Sequence, residues 1–198
     1  MARVLVACEF SGVVRDAFIE RGYDAWSCDL LPTESDGPHI QGNVLEILDN
    51  NWDLMIAHPP CTYLANSGVR WLYRPGTKNK NEIRWRNMEK GAYFFKSLLE
   101  CDIPKIAVEN PIMHKHAVKI IGRRQDQIIH PHEHGHGESK STCLWLKNLP
   151  KIVPTEKVDG RIQKSYWLSE TKDRWKKRSI TYPGIAAAFA VQWGETCL

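Results

Sequence analysis

In Asp53-Leu54-Met55-Ile56-Ala57-His58-Pro59-Pro60-Cys61, a short apolar run is cut off by two prolines and followed by a thiol. Leu54 to Ala57 have the composition of a buried strand, and prolines cannot donate to a sheet ladder, so the strand ends in a stiff turn that presents Cys61. In an open α/β sheet, ligands bind beyond the carboxyl ends of the strands. A cysteine held there is placed to act as a nucleophile; the alternative is a small residue packed behind a tight turn.

Upstream, Arg3 to Cys8 is a continuous apolar and β-branched run, as expected of a strand buried on both faces in a parallel sheet. Glu9-Phe10-Ser11-Gly12 then makes a turn, and Val14, Ala17 and Phe18 recur at helical spacing within Val13 to Arg21. Strand, glycine-containing turn and helix open a nucleotide-binding βαβ unit. A second strand, Asp24 to Cys28, is closed by Asp29, where such folds hydrogen-bond a ribose hydroxyl. A capped surface turn is the other reading of Asp29. With one glycine and no GxGxxG, the first turn would hold a cofactor through shape and backbone groups. Leu30 to Gln41, rich in Pro, Gly, Ser and Asp, reads as loop, and Gly42 to Leu48 as a strand end leading into a short helix.

Downstream of Cys61, Arg70, Trp71, Tyr73, Arg74, Lys78, Lys80, Arg84, Trp85, Arg86 and Lys90 interleave cations with aromatics around Gly76. That mixture suits a phosphate backbone with stacked bases, and residues 68–90 read as a basic, mobile loop over nucleic acid. Within Glu82 to Leu99 the apolar stripe Met88, Ala92, Phe95, Leu98 and Leu99 predicts a helix packed on the core. Ile103 to Val108 is another strand, delivering Glu109-Asn110-Pro111; its carboxylate is either the acid partner of a nearby nucleophile or a turn cap. The cluster His130-Pro-His-Glu-His-Gly-His136 lacks an HExxH helix or a cysteine pair, so no metal is assigned, and it reads as a loop that contacts substrate or phosphate. Thr142 to Leu146 predicts the return arm of a hairpin with Gln127 to Ile129, residues 151–180 an irregular surface arm, and Pro183 to Trp193 a final helix.

The chain has 198 residues, 42% hydrophobic and 25% charged, which fits one ordinary globular domain. No apolar run is long enough to cross a bilayer or to act as a signal peptide. Six cysteines without CxxC spacing fit reduced thiols in a cytoplasm. The net charge of +4 permits a polyanionic partner without requiring one.

Phe10-Ser11-Gly12, Pro59-Pro60-Cys61 with Ser67 following, and Glu109-Asn110, in that order, resemble the signature of cytosine-C5 DNA methyltransferases. Nearly the whole chain is similar to short phage and prophage members of that family, including the HGxxKxTxLWLxxLP-like stretch from His136 to Pro150 and the YPGIAAA-like end. The resemblance implies a Rossmann-like S-adenosylmethionine-dependent fold: a three-layer αβα sandwich, mostly parallel, with an antiparallel hairpin near the C-terminus. It also implies DNA as partner, with the target cytosine flipped out of the duplex. Cys61 would attack C6, Glu109 would contact N3, and Asn110 would join them as a catalytic residue. Glu9, Phe10, Ser11, Gly12, Asp29, Leu30, Asn43, Val44, His58 and Pro59 would line the cofactor site, with Asn43 where the family usually has an acidic residue. Pro60, Ser67, Arg70, Arg74, Arg84, Arg86 and Lys140 would face the substrate. The family's catalytic arginine pair would correspond to Arg123-Arg124 or to Arg161. No segment corresponds to a long target-recognition domain, so sequence specificity would be low or supplied by a partner. A phage-borne protein in a bacterial cytoplasm is implied. Other expectations compatible with the same residues are modification of another pyrimidine, in RNA, a nucleotide or modified phage DNA, and a binding protein without turnover that antagonises restriction.

Overall fold

The computed structural model describes residues 1–159 and 174–197. Its strands are β1 (Arg3–Ala7), β2 (Asp24–Asp29), β3 (His39–Gln41), β4 (Leu54–Ala57), β5 (Lys105–Asn110), β6 (Gln127–Ile129) and β7 (Thr142–Lys147). They form one sheet in the order β3-β2-β1-β4-β5-β7-β6. Neighbours from β3 to β5 are parallel, and β7 runs antiparallel to both β5 and β6, so it alone is reversed.

The helices are α1 (Val13–Ile19), α2 (Glu82–Glu100), α3 (Lys115–Ile121), α4 (Arg174–Ser179) and α5 (Pro183–Gly194). Alternate residues of each strand feed opposite faces of the sheet, as the period of a strand requires. Leu5, Ala7, Met55, Ala57, Ile106 and Val108 pack with Met88, Ala92, Phe95 and Leu98 of α2 and with Ala117 and Ile121 of α3. Val4, Val6, Leu54, Ile56 and Ala107 pack with Val14 and Phe18 of α1 and with Ile185, Phe189 and Trp193 of α5. The result is the expected Rossmann-like αβα sandwich with its antiparallel C-terminal element.

Three details differ from the sequence expectation. His39–Gln41, inside the segment read as loop, adds a short edge strand because Pro38 and His39 reach Ser27: the Ser27 amide donates to the Pro38 carbonyl at 3.1 Å, and Ser27 Oγ lies 2.9 Å from His39 Nδ1. The basic segment is built rather than open. Asn66–Leu72 forms a 3-10 turn, Tyr73 bridges Lys80 across a turn at Gly76 (φ 70°), and α2 begins at Glu82, so Arg84 and Arg86 are helical. The surface arm is not irregular throughout, since Arg174–Ser179 is the helix α4, rich in good helix formers and held by its Trp175 and Lys176 against Phe10. Residues 160–173 of that arm lie outside the described residues. Among the described residues no helix is long and apolar enough to cross a membrane.

Candidate active site

The chain runs β1-α1-β2-β3 toward one side of β1 and continues with β4 on the other, so the topological switch falls between β1 and β4. Ligands of open α/β sheets bind in the crevice at that point, outside the carboxyl ends. The turns that leave those ends are Cys8 to Gly12 from β1, Asp29-Leu30 from β2, His58 to Cys61 from β4 and Glu109 to Pro111 from β5. Cys8 enters its turn with φ 58°, left-handed for a residue with a side chain, a strain of the kind that collects at functional sites.

On the β1 side, Glu9 is 5% exposed and its carboxylate caps α1. Oε1 accepts from the Val14 amide at 2.7 Å and Oε2 from the Arg15 amide at 3.2 Å. Burial pushes the Glu9 carboxyl above its ordinary range, against the lowering effects of nearby His58 and of these amide bonds. Gly12 (φ 75°) could not carry a side chain, because a Cβ there would lie 2.1 Å from Ser35 Oγ and 2.5 Å from Arg15 Nη2. Ser35 belongs to the loop after β2, which folds back so that the Glu34 amide donates to the Phe10 carbonyl at 2.8 Å. Arg15, fully buried, ties this loop down through Ser27, Thr33, Ser35 and the Asp36 carbonyl. Phe10 is buried beneath Trp175 and Lys176.

At β2, Asp29 Oδ1 accepts from the Leu31 amide at 2.9 Å, so the turn-capping alternative holds for one carboxylate oxygen. Leu30 beside it is 74% exposed, an apolar side chain left in the open at a strand end. Asn43 caps a 3-10 turn, accepting from the Leu45 amide, and Val44 is buried under it.

At β4, Pro59 is buried and Pro60 exposed, and the Pro59 carbonyl accepts from Asn110 Nδ2 at 2.8 Å. Asn110 thus braces the turn that carries Cys61, and the next turn is closed by the Leu64 and Ala65 amides on the Cys61 carbonyl. Burial raises the Cys61 thiol, and Glu109 raises it further, while Lys140 and Arg178 pull it down. At β5, burial works to raise the Glu109 carboxyl, but His58, Lys140 and Thr142 outweigh it and the carboxyl lies below its ordinary value. Its Oε2 is 3.3 Å from His58 Nδ1. A thiol, a carboxylate and a pair of cations therefore share one end of the sheet.

The remaining residues expected from the sequence to face a substrate divide. Arg84 sends Nη2 to the Thr62 carbonyl at 3.4 Å and lies over the Tyr63 ring, fixing the segment after Cys61. Arg70 covers the exposed Trp71, and with Arg74 and Lys78 it lines an open cavity. Ser67 and Arg86 are exposed. Lys140 donates to the Arg178 carbonyl at 2.7 Å. Sequence reasoning missed Arg178 and Thr142, because Arg178 falls in a stretch that reads as surface arm and Thr142 has the character of any other strand residue. Arg123 is occupied elsewhere, with Asp126 and the Leu146 carbonyl, toward the end of β7 that pairs with the start of β5. Arg161 lies outside the described residues.

Two members of the histidine cluster are tied into the scaffold. His134 is 2% exposed and bonded to Thr155 Oγ1 at 3.0 Å, and His136 Nε2 accepts the Gly184 amide at 2.9 Å at the start of α5. Among the described residues no group of His, Cys, Asp or Glu is arranged to hold a metal ion.

No protein-family model and no curated protein matches the chain. Among solved structures, one similar chain is described as a candidate DNA modification methyltransferase encoded within a prophage (E. coli). It superposes with a TM-score of 0.50 at 13% identity, covering 86% of this chain and 56% of that one. The two share a fold, and this chain spans little more than half of its neighbour's length.

Proposed function

We propose that the chain is an S-adenosylmethionine-dependent methyltransferase acting on C5 of cytosine in DNA through a covalent bond from Cys61 to C6. The observation that carries this is the meeting of Cys61 and Glu109 at adjoining strand ends, electrostatically coupled and beside the crevice of the switch point. The fold shared with a neighbour described as a candidate DNA modification methyltransferase supports the same class of activity.

The crevice suits an adenosyl group. Asp29 spends one carboxylate oxygen on the Leu31 amide, which leaves the other for a ribose hydroxyl, and Leu30 offers an exposed apolar surface to a flat base. Phe10 and Pro59 are buried at the strand ends that flank the switch point. When bound, the cofactor supplies an electrophilic methyl group.

Cys61 answers the central difficulty of the chemistry, since C5 of a pyrimidine is too poor a nucleophile unless a thiolate first adds to the ring. The thiol must lose its proton before it attacks. Lys140 and Arg178 favour the thiolate, and Glu109 opposes it while charged. Glu109 has to bring a proton to N3, and while it carries that proton it no longer opposes the thiolate. After methylation, loss of the C5 proton and cleavage of the S–C6 bond return Cys61 to the free state. Reaching C6 needs a base outside the stack, and the cation and aromatic surface of Arg70, Trp71, Arg74 and Lys78 supplies phosphate and stacking contacts for the displaced strand.

Incubation with S-adenosylmethionine and DNA containing 5-fluorocytosine tests the proposal, because fluorine at C5 blocks release. A covalent adduct on a denaturing gel, absent in Cys61→Ser, is expected. A wild-type protein that binds the cofactor and yields no adduct would overturn the cytosine reading.

A further inference from the structure

His58 was assigned from sequence to the cofactor crevice, yet its observed partner is a carboxylate. The ring is buried, with the side chain 7% exposed. Nδ1 faces Glu109 Oε2 at 3.3 Å, and Nε2 is buried with no hydrogen-bond partner among the described residues. His58 also acts electrostatically on Glu9, the cap of α1, lowering its carboxyl against the effect of burial. Buried polar nitrogens are almost always paired, so the free Nε2 marks this ring as more than filler. The backbone leaves little freedom: the His58 amide donates to the Ala7 carbonyl at 2.9 Å and Pro59 follows at once, holding the residue at the ends of β1 and β4 while its ring meets Glu109 of β5.

We propose that His58 is the positioning residue of Glu109, holding its carboxylate through Nδ1–H and replacing the proton that Glu109 gives to N3 of the pyrimidine. As Cys61 Sγ bonds to C6, the C5=C6 electron pair moves to the C4–C5 bond and the C4=N3 pair moves onto N3. The Glu109 carboxylate takes the proton from Nδ1 and passes it to N3, so that one proton moves from a doubly protonated imidazole to N3, His58 is left neutral and Glu109 is left ionised. When the S–C6 bond breaks, N3 releases that proton and the pair returns to its starting state. The charged and titratable groups around the pair are Glu9 from the β1 turn, Cys61 from its own turn, Lys140, Thr142 and Cys143 from β7 and the segment before it, and Arg178 after α4 begins. The substrate atom rests on the cytosine reading; the His58–Glu109 pair does not.

The full chain is compared as wild type, His58→Asn and His58→Leu, each checked for folding by thermal melting. Asparagine places an amide donor near the position of Nδ1 but cannot supply a proton, and leucine does neither. Carbon-13 NMR of the glutamate carboxyls, with Glu109→Gln for assignment, follows Glu109 in the free protein. Its midpoint is expected to rise in His58→Leu and less in His58→Asn. Adduct formation with 5-fluorocytosine DNA should fall by about 100-fold in His58→Leu. In His58→Asn it should recover in part and lose the pH dependence of wild type. A Glu109 midpoint unchanged in both variants overturns the pair, and a shifted midpoint with an unaltered pH–rate profile overturns the proton role. No adduct in wild type together with a shifted midpoint removes the cytosine reading and leaves the pair standing.

Discussion

Arg15 is the residue on which the β1 side of the crevice depends. Its guanidinium is fully buried, paired with Asp16 at 2.8 Å and shared among Ser27, Thr33, Ser35 and the Asp36 carbonyl. Removing one partner of a buried, hydrogen-bonded charge leaves the others unpaired, so Arg15→Met should destabilise the fold by about 3–5 kcal/mol in urea unfolding. The same variant should loosen the loop that covers Phe10 and Gly12, and so weaken cofactor binding beyond its effect on stability.

Cys61 makes a separate residue-scale prediction, because its neighbours push in opposite directions. With the thiol raised by burial and by Glu109, alkylation should be slow at neutral pH and accelerate as the pH rises. Glu109→Gln removes one raising influence and should move the acceleration to lower pH; Lys140→Ala removes a lowering one and should move it higher. Rates of iodoacetamide labelling at the Cys61 peptide, followed by mass spectrometry across pH, distinguish these directions.

At the level of elements, α2 carries the site outward. Asn81 caps it, accepting from the Arg84 amide at 3.3 Å, and Arg84 then reaches the Thr62 carbonyl next to Cys61. Asn81→Ala should cost about 1 kcal/mol of stability, measured by denaturant unfolding, as a lost N-cap does. This helix was legible in the sequence because nineteen residues give its apolar stripe time to repeat. The parallel strands were legible because burial on both faces makes them continuous apolar runs. The edge strand β3 and the seven-residue α3 were not, since three residues carry no period and a helix capped by His114 offers no common start signal. Within the site, Cys61 and Glu109 could be found because proline stops each strand beside them. The contacts of His58, Thr142 and Arg178 could not, since each depends on which strands become neighbours. The scaffold contacts of His134 and His136 were hidden for the same reason, since their partners Thr155 and Gly184 are distant in sequence.

Across the whole molecule, a net charge of +4 is too small to direct binding by itself, and what matters is where the cations lie. Arg70, Arg74 and Lys78 share one cavity with Trp71 and Tyr73 on the segment that follows Cys61, while Lys140 and Arg178 stand beside the thiol. Lys140 and the His58–Glu109 pair share the thiol's surroundings, whereas among the described residues no carboxylate pairs with Arg70, Arg74 or Lys78, and Arg70 lies over the Trp71 ring. Cations without carboxylate partners are free to displace counterions from phosphates, so DNA binding should weaken log-linearly with salt, by about one unit of slope for each phosphate contacted. Replacing Arg70, Arg74 and Lys78 together by alanine should flatten that slope by about three and weaken binding to all sequences alike. Trp71→Ala should instead weaken single-stranded DNA by about 1–3 kcal/mol with the salt slope unchanged, because a ring stacks on bases and carries no charge. Fluorescence anisotropy titrations at several salt concentrations separate the two effects, and an unaltered slope in the triple variant would place the phosphate contacts elsewhere on the molecule.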